Sequence, residues 1–191
     1  MSAPILTVAN QLTLLRMGLA PLLVVLVLQG HMGWALGVFV VAGVTDALDG
    51  LIARLGGQQT TLGAMLDPVA DKVLMTSSFI ALTWGSGLAF AIPVWLTVVI
   101  LSRDAIIIVS VAIVNLTLGR RIFYPSLLGK LCTVSQLLTI GLVLLANVTG
   151  GGAMLRHLFT ATLVLTVASA LHYVYLASTR GPGRAPGEPA E

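Results

Sequence analysis

Four aspartates, Asp46, Asp49, Asp67 and Asp71, stand in the pattern DxxDGxxAR, eight residues, then GxxxDxxxD, completed by Gly50, Ala53, Arg54 and Gly63. They are four of the seven acidic residues in the chain; the others are Asp104, Glu188 and Glu191. Carboxylates grouped in this way without His or Cys suit a hard divalent cation, Mg²⁺ or Mn²⁺. Two such ions could polarise a phosphate ester and stabilise a departing phosphate, which is equipment for phosphoryl transfer.

The surroundings make the grouping conspicuous. The chain has 191 residues, of which 57% are hydrophobic and 9% charged, and its mean hydropathy is +1.01. Those values exclude an ordinary soluble globular domain and point to an integral membrane protein. An ionised side chain at the centre of a bilayer costs roughly 2.5 to 3.5 kcal/mol, so four uncompensated carboxylates would cost about 10 to 14 kcal/mol, less near the interface. Something cationic must neutralise them. Scattered intramembrane aspartates elsewhere serve structural pairing or a cation pathway, and Gly50 or Ala53 taken singly reads as a helix-packing residue.

The elements that must position these residues are apolar helices, predicted over 12–29, 33–54, 62–84, 88–116, 126–147 and 157–178. The expected fold is therefore all-α: an integral membrane bundle of six transmembrane helices in one domain, 1–178, with a disordered cytoplasmic tail over 179–191 that is too rich in Gly and Pro to bury a core. Arg54, Arg120, Arg121, Lys130, Arg180 and Arg184 fall on one side of this path, against Arg156, His31 and His157 on the other. The positive-inside rule then puts both termini in the cytoplasm, with the aspartates flanking a cytoplasmic hairpin over 55–61 that contains Gly56 and Gly57. The first apolar run follows a partly polar stretch, 9–16, instead of a basic segment, so no removed signal peptide is expected. Cys132 is the only cysteine, which rules out an intramolecular disulfide and argues against a cysteine-based metal site. The net charge of +3 comes from loop arginines, and no dense basic run with interleaved aromatics suggests nucleic acid.

On a helix, residues three or four apart share a face. Asp46 with Asp49 and Asp67 with Asp71 thus form two faces that can meet across the hairpin as a four-carboxylate box. With a rise of 1.5 Å per residue, Asp46 lies roughly 12 Å from the level of Arg54 and Asp71 about as far from that of Gly63, so the pairs sit at matching depth. The small Gly50 and Ala53 would let a bulky ligand approach the backbone, and Arg54 could clamp a phosphate.

The eight matched positions resemble the motif of the CDP-alcohol phosphotransferases, without gap or substitution, and Asn10, Leu12, Thr13 and Arg16 match the stretch through which the first helix of that family is entered. The resemblance implies six membrane helices, an active site facing the cytoplasm from the cell (inner) membrane, and frequent homodimers. It implies Asp46, Asp49, Asp67 and Asp71 as metal ligands for two divalent ions, Mg²⁺ or Mn²⁺, with Asp71 also the base that deprotonates the acceptor hydroxyl. It places Asp49, Gly50, Ala53, Arg54 and Gly63 at the CDP site. The reaction implied is attack of an alcohol on the β-phosphate of CDP-diacylglycerol, releasing CMP, in phospholipid biosynthesis.

The string Gly129, Lys130, Thr133, Gln136 looks like the fifth-helix pattern of the phosphatidylglycerol-phosphate and cardiolipin synthase branches, and the triplet Ser102-Arg103-Asp104 resembles the eukaryotic-type cardiolipin synthases. Arg103, Arg120, Arg121 and Lys130 are the candidate acceptor-binding residues. A cationic pocket favours a phosphate-bearing glycerol acceptor over serine or choline: glycerol 3-phosphate first, phosphatidylglycerol as the alternative, inositol phosphate with less support. Against this, Arg103 and Asp104 could neutralise one another, Arg120 and Arg121 could only set topology, and Lys130 could be an interfacial lysine. His31, His157 and His172 sit near helix ends and carry no assigned role. The rival from another class is a cation transporter with the aspartates as its ion site; a structural helix bundle is a third reading.

Overall fold

An apolar chain in an apolar medium must satisfy every backbone N–H and C=O internally, and a helix does so within a single segment. The computed structural model consists of α1 Val8–Leu28, α2 Met32–Gly56, α3 Thr61–Trp84, α4 Val94–Leu118, α5 Leu127–Thr149 and α6 Leu155–Thr179, with no strand among the described residues. The structure describes the backbone of residues 8–56, 61–118 and 127–179, and the side chains of residues 13–46, 69–110 and 127–173. The tail over 180–191 lies outside the described residues.

The helices form two compact units. The first holds residues 1–93 and 137–155; the second holds 94–136 and 156–191, so that α5 contributes to both. In the first unit α1 packs against α2 and α3. Its buried residues, Thr13, Arg16, Ala20, Leu23 and Val27, recur at alternating intervals of three and four, the stripe that a helix lays along a seam between neighbours. The turn from α1 into α2 is short because Gly30 takes the left-handed backbone conformation, φ 76°, and the His31 N–H returns to the Leu26 carbonyl at 2.8 Å. That is a glycine-ended helix terminus, and it makes α1 and α2 antiparallel neighbours.

Both units bury an apolar core, yet each also exposes large apolar side chains and buries polar ones. Leu22, Val25, Val40, Val44, Val73 and Ile80 of the first unit and Val98, Ile106, Ile108, Val164 and Leu171 of the second are exposed. Thr13, Arg16 and Ser78 of the first and Thr97, Asp104, Ser135, Gln136, Thr162, Thr166 and Ser169 of the second are buried. So many exposed large apolar side chains suit a surface that faces lipid. Two of the hydroxyls are satisfied within their own helices, Ser78 to the Leu74 carbonyl at 2.7 Å and Thr166 to that of Thr162 at 2.7 Å, so they add no unpaired polar group. Among the described residues Leu127–Thr149 and Leu155–Tyr173 are long and apolar enough to cross a bilayer, while Thr13–Leu28 and Met32–Asp46 are shorter apolar segments.

One boundary departs clearly from the sequence expectation. The fourth helix was expected from residue 88, whereas α4 begins at Val94. Pro93 disfavours a helical conformation at Ile92, and the backbone before it is committed elsewhere. The Ile92 N–H bonds the Leu82 carbonyl at 3.0 Å. Asn147 of α5 accepts the Phe90 N–H at 3.1 Å and donates to the Phe90 carbonyl at 2.7 Å. Asn147, which in sequence only began an Asn-x-Thr tripeptide, thus pins a loop.

Candidate active site

The register of α1 decides what its lone charge meets. Arg16 is the only charged residue in α1, and the buried stripe carries it into the seam with α2 and α3, where its side chain is 1% exposed. A guanidinium there requires counter-charge. It finds two: Nη1 donates to Asp46 Oδ1 of α2 at 2.9 Å and to Asp71 Oδ1 of α3 at 2.5 Å. One member of each aspartate pair therefore converges on a single point from two helices. The carboxylates are 47% and 41% exposed, so an ion or ligand can reach them from outside while Arg16 lies beneath.

This donor set suits a hard divalent cation. Asp46 and Asp71 each offer a carboxylate, the ligand type that Mg²⁺ or Mn²⁺ takes, and would hold such an ion. The side chains of Asp49, Gly50, Ala53, Arg54, Gly63 and Asp67 lie outside the described residues. Among the described residues no three of His, Cys, Asp and Glu group together, because only Asp46 and Asp71 of the four aspartates fall there.

Of the candidate acceptor-binding residues, Arg103 and Lys130 are described and belong to the second unit; Arg120 and Arg121 lie outside the described residues. Arg103 donates from Nη1 to Asp104 Oδ1 at 2.8 Å and from Nη2 to Ser169 Oγ of α6 at 2.7 Å. The neutralising contact with Asp104 is thus present, and Nε is buried with no hydrogen-bond partner, a donor left for an acceptor oxygen. Lys130 is exposed on α5. Further along α5, Gln136 is buried and donates to the Cys132 sulfur at 3.4 Å, and Cys132 in turn meets the Thr166 hydroxyl at 3.5 Å.

Sequence reasoning used Arg16 only as part of a motif and did not pair it with the aspartates. The signal was available: a lone arginine in an otherwise uncharged helix needs an acid, and most of the acid in this chain is in one place. No local spacing marks the Asn147 clamp, since its partner Phe90 is 57 positions away.

Against known proteins, the chain matches the family model described as CDP-alcohol phosphatidyltransferase over residues 6–174. It is 38% identical over 187 residues to the cardiolipin synthase (CMP-forming) of Rattus norvegicus, covering 88% of this chain and 61% of the rat protein. It is 36% identical over 165 residues to the cardiolipin synthase (CMP-forming) of Streptomyces coelicolor, covering 81% and 73% of the two chains. It is 35% identical over 181 residues to a Mycobacterium tuberculosis protein named "Probable phosphatidylglycerophosphate synthase", covering 90% and 82%. The chain thus spans about three fifths of the length of the rat relative.

Proposed function

The chain belongs to the CDP-alcohol phosphatidyltransferase family, and on that premise we propose that it transfers a phosphatidyl group from CDP-diacylglycerol to a phosphate-bearing glycerol acceptor, releasing CMP, in phospholipid biosynthesis. The observation that carries the reading is the convergence of Asp46 and Asp71, from two helices, on one externally reachable point. Asp46, Asp49, Asp67 and Asp71 would hold two divalent ions, Mg²⁺ or Mn²⁺, which when bound polarise the diphosphate and stabilise departing CMP. Gly50, Ala53, Arg54 and Gly63, with Asp49, would bind the CDP moiety. Asp71 accepts the proton of the acceptor hydroxyl as its oxygen forms a bond to the β-phosphorus and the bond from that phosphorus to the CMP oxygen breaks. Arg103, Lys130, Arg120 and Arg121 would take the acceptor's phosphate, supported by the buried, unpartnered Arg103 Nε.

Between acceptors, the sequence reading places glycerol 3-phosphate first. The relatives at 38% and 36% identity are named cardiolipin synthase (CMP-forming), and the Ser102-Arg103-Asp104 triplet points the same way, so phosphatidylglycerol becomes the first acceptor to test. Glycerol 3-phosphate stays as the second, because the mycobacterial relative is matched over 82% of its own length.

The site faces the cytoplasm from a six-span inner-membrane bundle in this reading. Every helix has 21 to 25 residues, enough for a hydrocarbon core that needs about 20. Trp34 is 75% and Trp84 57% exposed, as interfacial tryptophans are. They lie roughly 18 and 20 Å along their helices from Asp46 and Asp71, which places the carboxylates towards the opposite leaflet of a core about 30 Å thick. Both termini and the arginine-rich loops then share the aspartates' side.

The test is CMP release by the purified protein in detergent with CDP-diacylglycerol and Mg²⁺ or Mn²⁺, comparing phosphatidylglycerol, glycerol 3-phosphate, inositol phosphate and serine. Release with one glycerol acceptor, abolished by chelator, is the expected result. Folded protein that releases no CMP with any acceptor overturns the proposal and favours ion transport.

A further inference from the structure

We infer that Arg16 competes with a divalent ion for Asp46 and Asp71: its guanidinium stands between the two carboxylates, and an ion must displace it to bind. The inference rests on the reading of the aspartates as metal ligands but concerns a residue that reading leaves without a role.

Three observations carry it. Arg16 is the only charge of α1 and is almost wholly buried, yet its partners come from two other helices. A residue serving only to pin α1 to one neighbour would need one partner. Next, a single nitrogen, Nη1, meets both Oδ1 atoms at 2.9 and 2.5 Å, so it takes the oxygens that face each other across the seam. A divalent ion bridging the same two carboxylates would compete for those atoms, and two cations cannot share the position without strong repulsion. Finally, the approaches differ: the carboxylates are 47% and 41% exposed and the guanidinium is covered. An ion would meet the carboxylates on their open side, opposite the covered guanidinium.

Arginine suits this task because it cannot release its charge. A guanidinium keeps its charge beside an incoming cation. Its charge sets against those of Asp46 and Asp71, which reduces the insertion penalty of uncompensated carboxylates. The consequence is a trade. Arg16 ties α1 to α2 and α3, and the affinity for the ion is lower than the aspartates alone would give.

The experiment compares full-length wild type, Arg16→Gln and Arg16→Lys in detergent, reading Mn²⁺ affinity by calorimetric titration and melting temperature with EDTA or Mn²⁺. Arg16→Gln is expected to bind Mn²⁺ on the order of tenfold tighter, to melt lower than wild type in EDTA, and to gain more from Mn²⁺. Arg16→Lys keeps the charge and should stay within about threefold of wild type on the same scale. Arg16→Gln binding Mn²⁺ no more tightly than wild type overturns the inference, whatever happens to its melting temperature, because a purely structural clamp would not change ion affinity in that direction. Should Arg16→Gln be recoverable only when purified with Mn²⁺, the inference is supported. Recovery under neither condition overturns it, since a cation that the ion replaces is dispensable once the ion is present. The failure of the functional reading is separate: wild type that binds Mn²⁺ yet releases no CMP leaves the competition standing, while wild type that binds no Mn²⁺ overturns both.

Discussion

Replacing Asp71 by Asn separates the chemical role of this residue from its structural one. The amide keeps an oxygen where Asp71 Oδ1 accepts from Arg16 Nη1 at 2.5 Å, so the guanidinium retains an acceptor and the α1–α3 contact survives. What changes is charge. A hydrogen bond between two ions is worth about twice one with a neutral partner, which makes the loss about 1 kcal/mol, and the 41% exposure of Asp71 reduces it further through solvent screening. The melting temperature should therefore fall by only about 2 to 4 °C. Activity has no such substitute, because an amide cannot accept the proton of an acceptor hydroxyl. Loss of a general base costs about 10²- to 10⁴-fold, or about 2.7 to 5.5 kcal/mol of barrier. The assay is CMP release from CDP-diacylglycerol, run beside a thermal melt of the same preparation. Asp46→Asn serves as the internal control: it loses the same kind of contact to Arg16 but no base, so added Mn²⁺ should restore part of its activity and none of that of Asp71→Asn. Asp71→Asn activity within tenfold of wild type would refute the assigned base. A drop in melting temperature beyond about 10 °C, several times the change expected from charge alone, would refute the claim that an amide suffices for Arg16.

Asn147→Ala removes both hydrogen bonds that hold Phe90 to α5 and should destabilise the protein by about 1 to 3 kcal/mol, read as a lower melting temperature with the acceptor KM unchanged. Gly152→Ala would put a methyl into the Phe90 ring; the resulting overpacking should cost about 1 to 3 kcal/mol in a thermal melt, part of it recovered by pairing the change with Phe90→Leu. Ser169→Ala removes the acceptor of Arg103 Nη2 and leaves the guanidinium held only through Nη1 to Asp104, so the KM for the phosphate-bearing acceptor should change while that for CDP-diacylglycerol does not. Equal changes in both would count against Arg103 as an acceptor-phosphate residue.

Much of this molecule is legible in the order of its residues, and the reason is locality. Helical period and residue spacing act over one or two turns, so the pairing of Asp46 with Asp49 and of Asp67 with Asp71 on common helix faces follows from that order alone. The apolar composition that requires a membrane, the six helices and the absence of any disulfide follow in the same way. Helix ends are less local. The late start of α4 at Val94 depends in part on Pro93, which is local, and in part on Asn147, which is not.

The tertiary structure decided which cation stands among the aspartates. Asp71 is 55 positions from Arg16, and nothing in a window of one or two turns connects them. Their meeting depends on the buried stripe of α1, on the glycine turn that folds α2 back beside it, and on the packing of α1 against α3 as well. Burial then supplies the energetic reason: a guanidinium that is 1% exposed must be answered by carboxylates, and the packing brings it to those two.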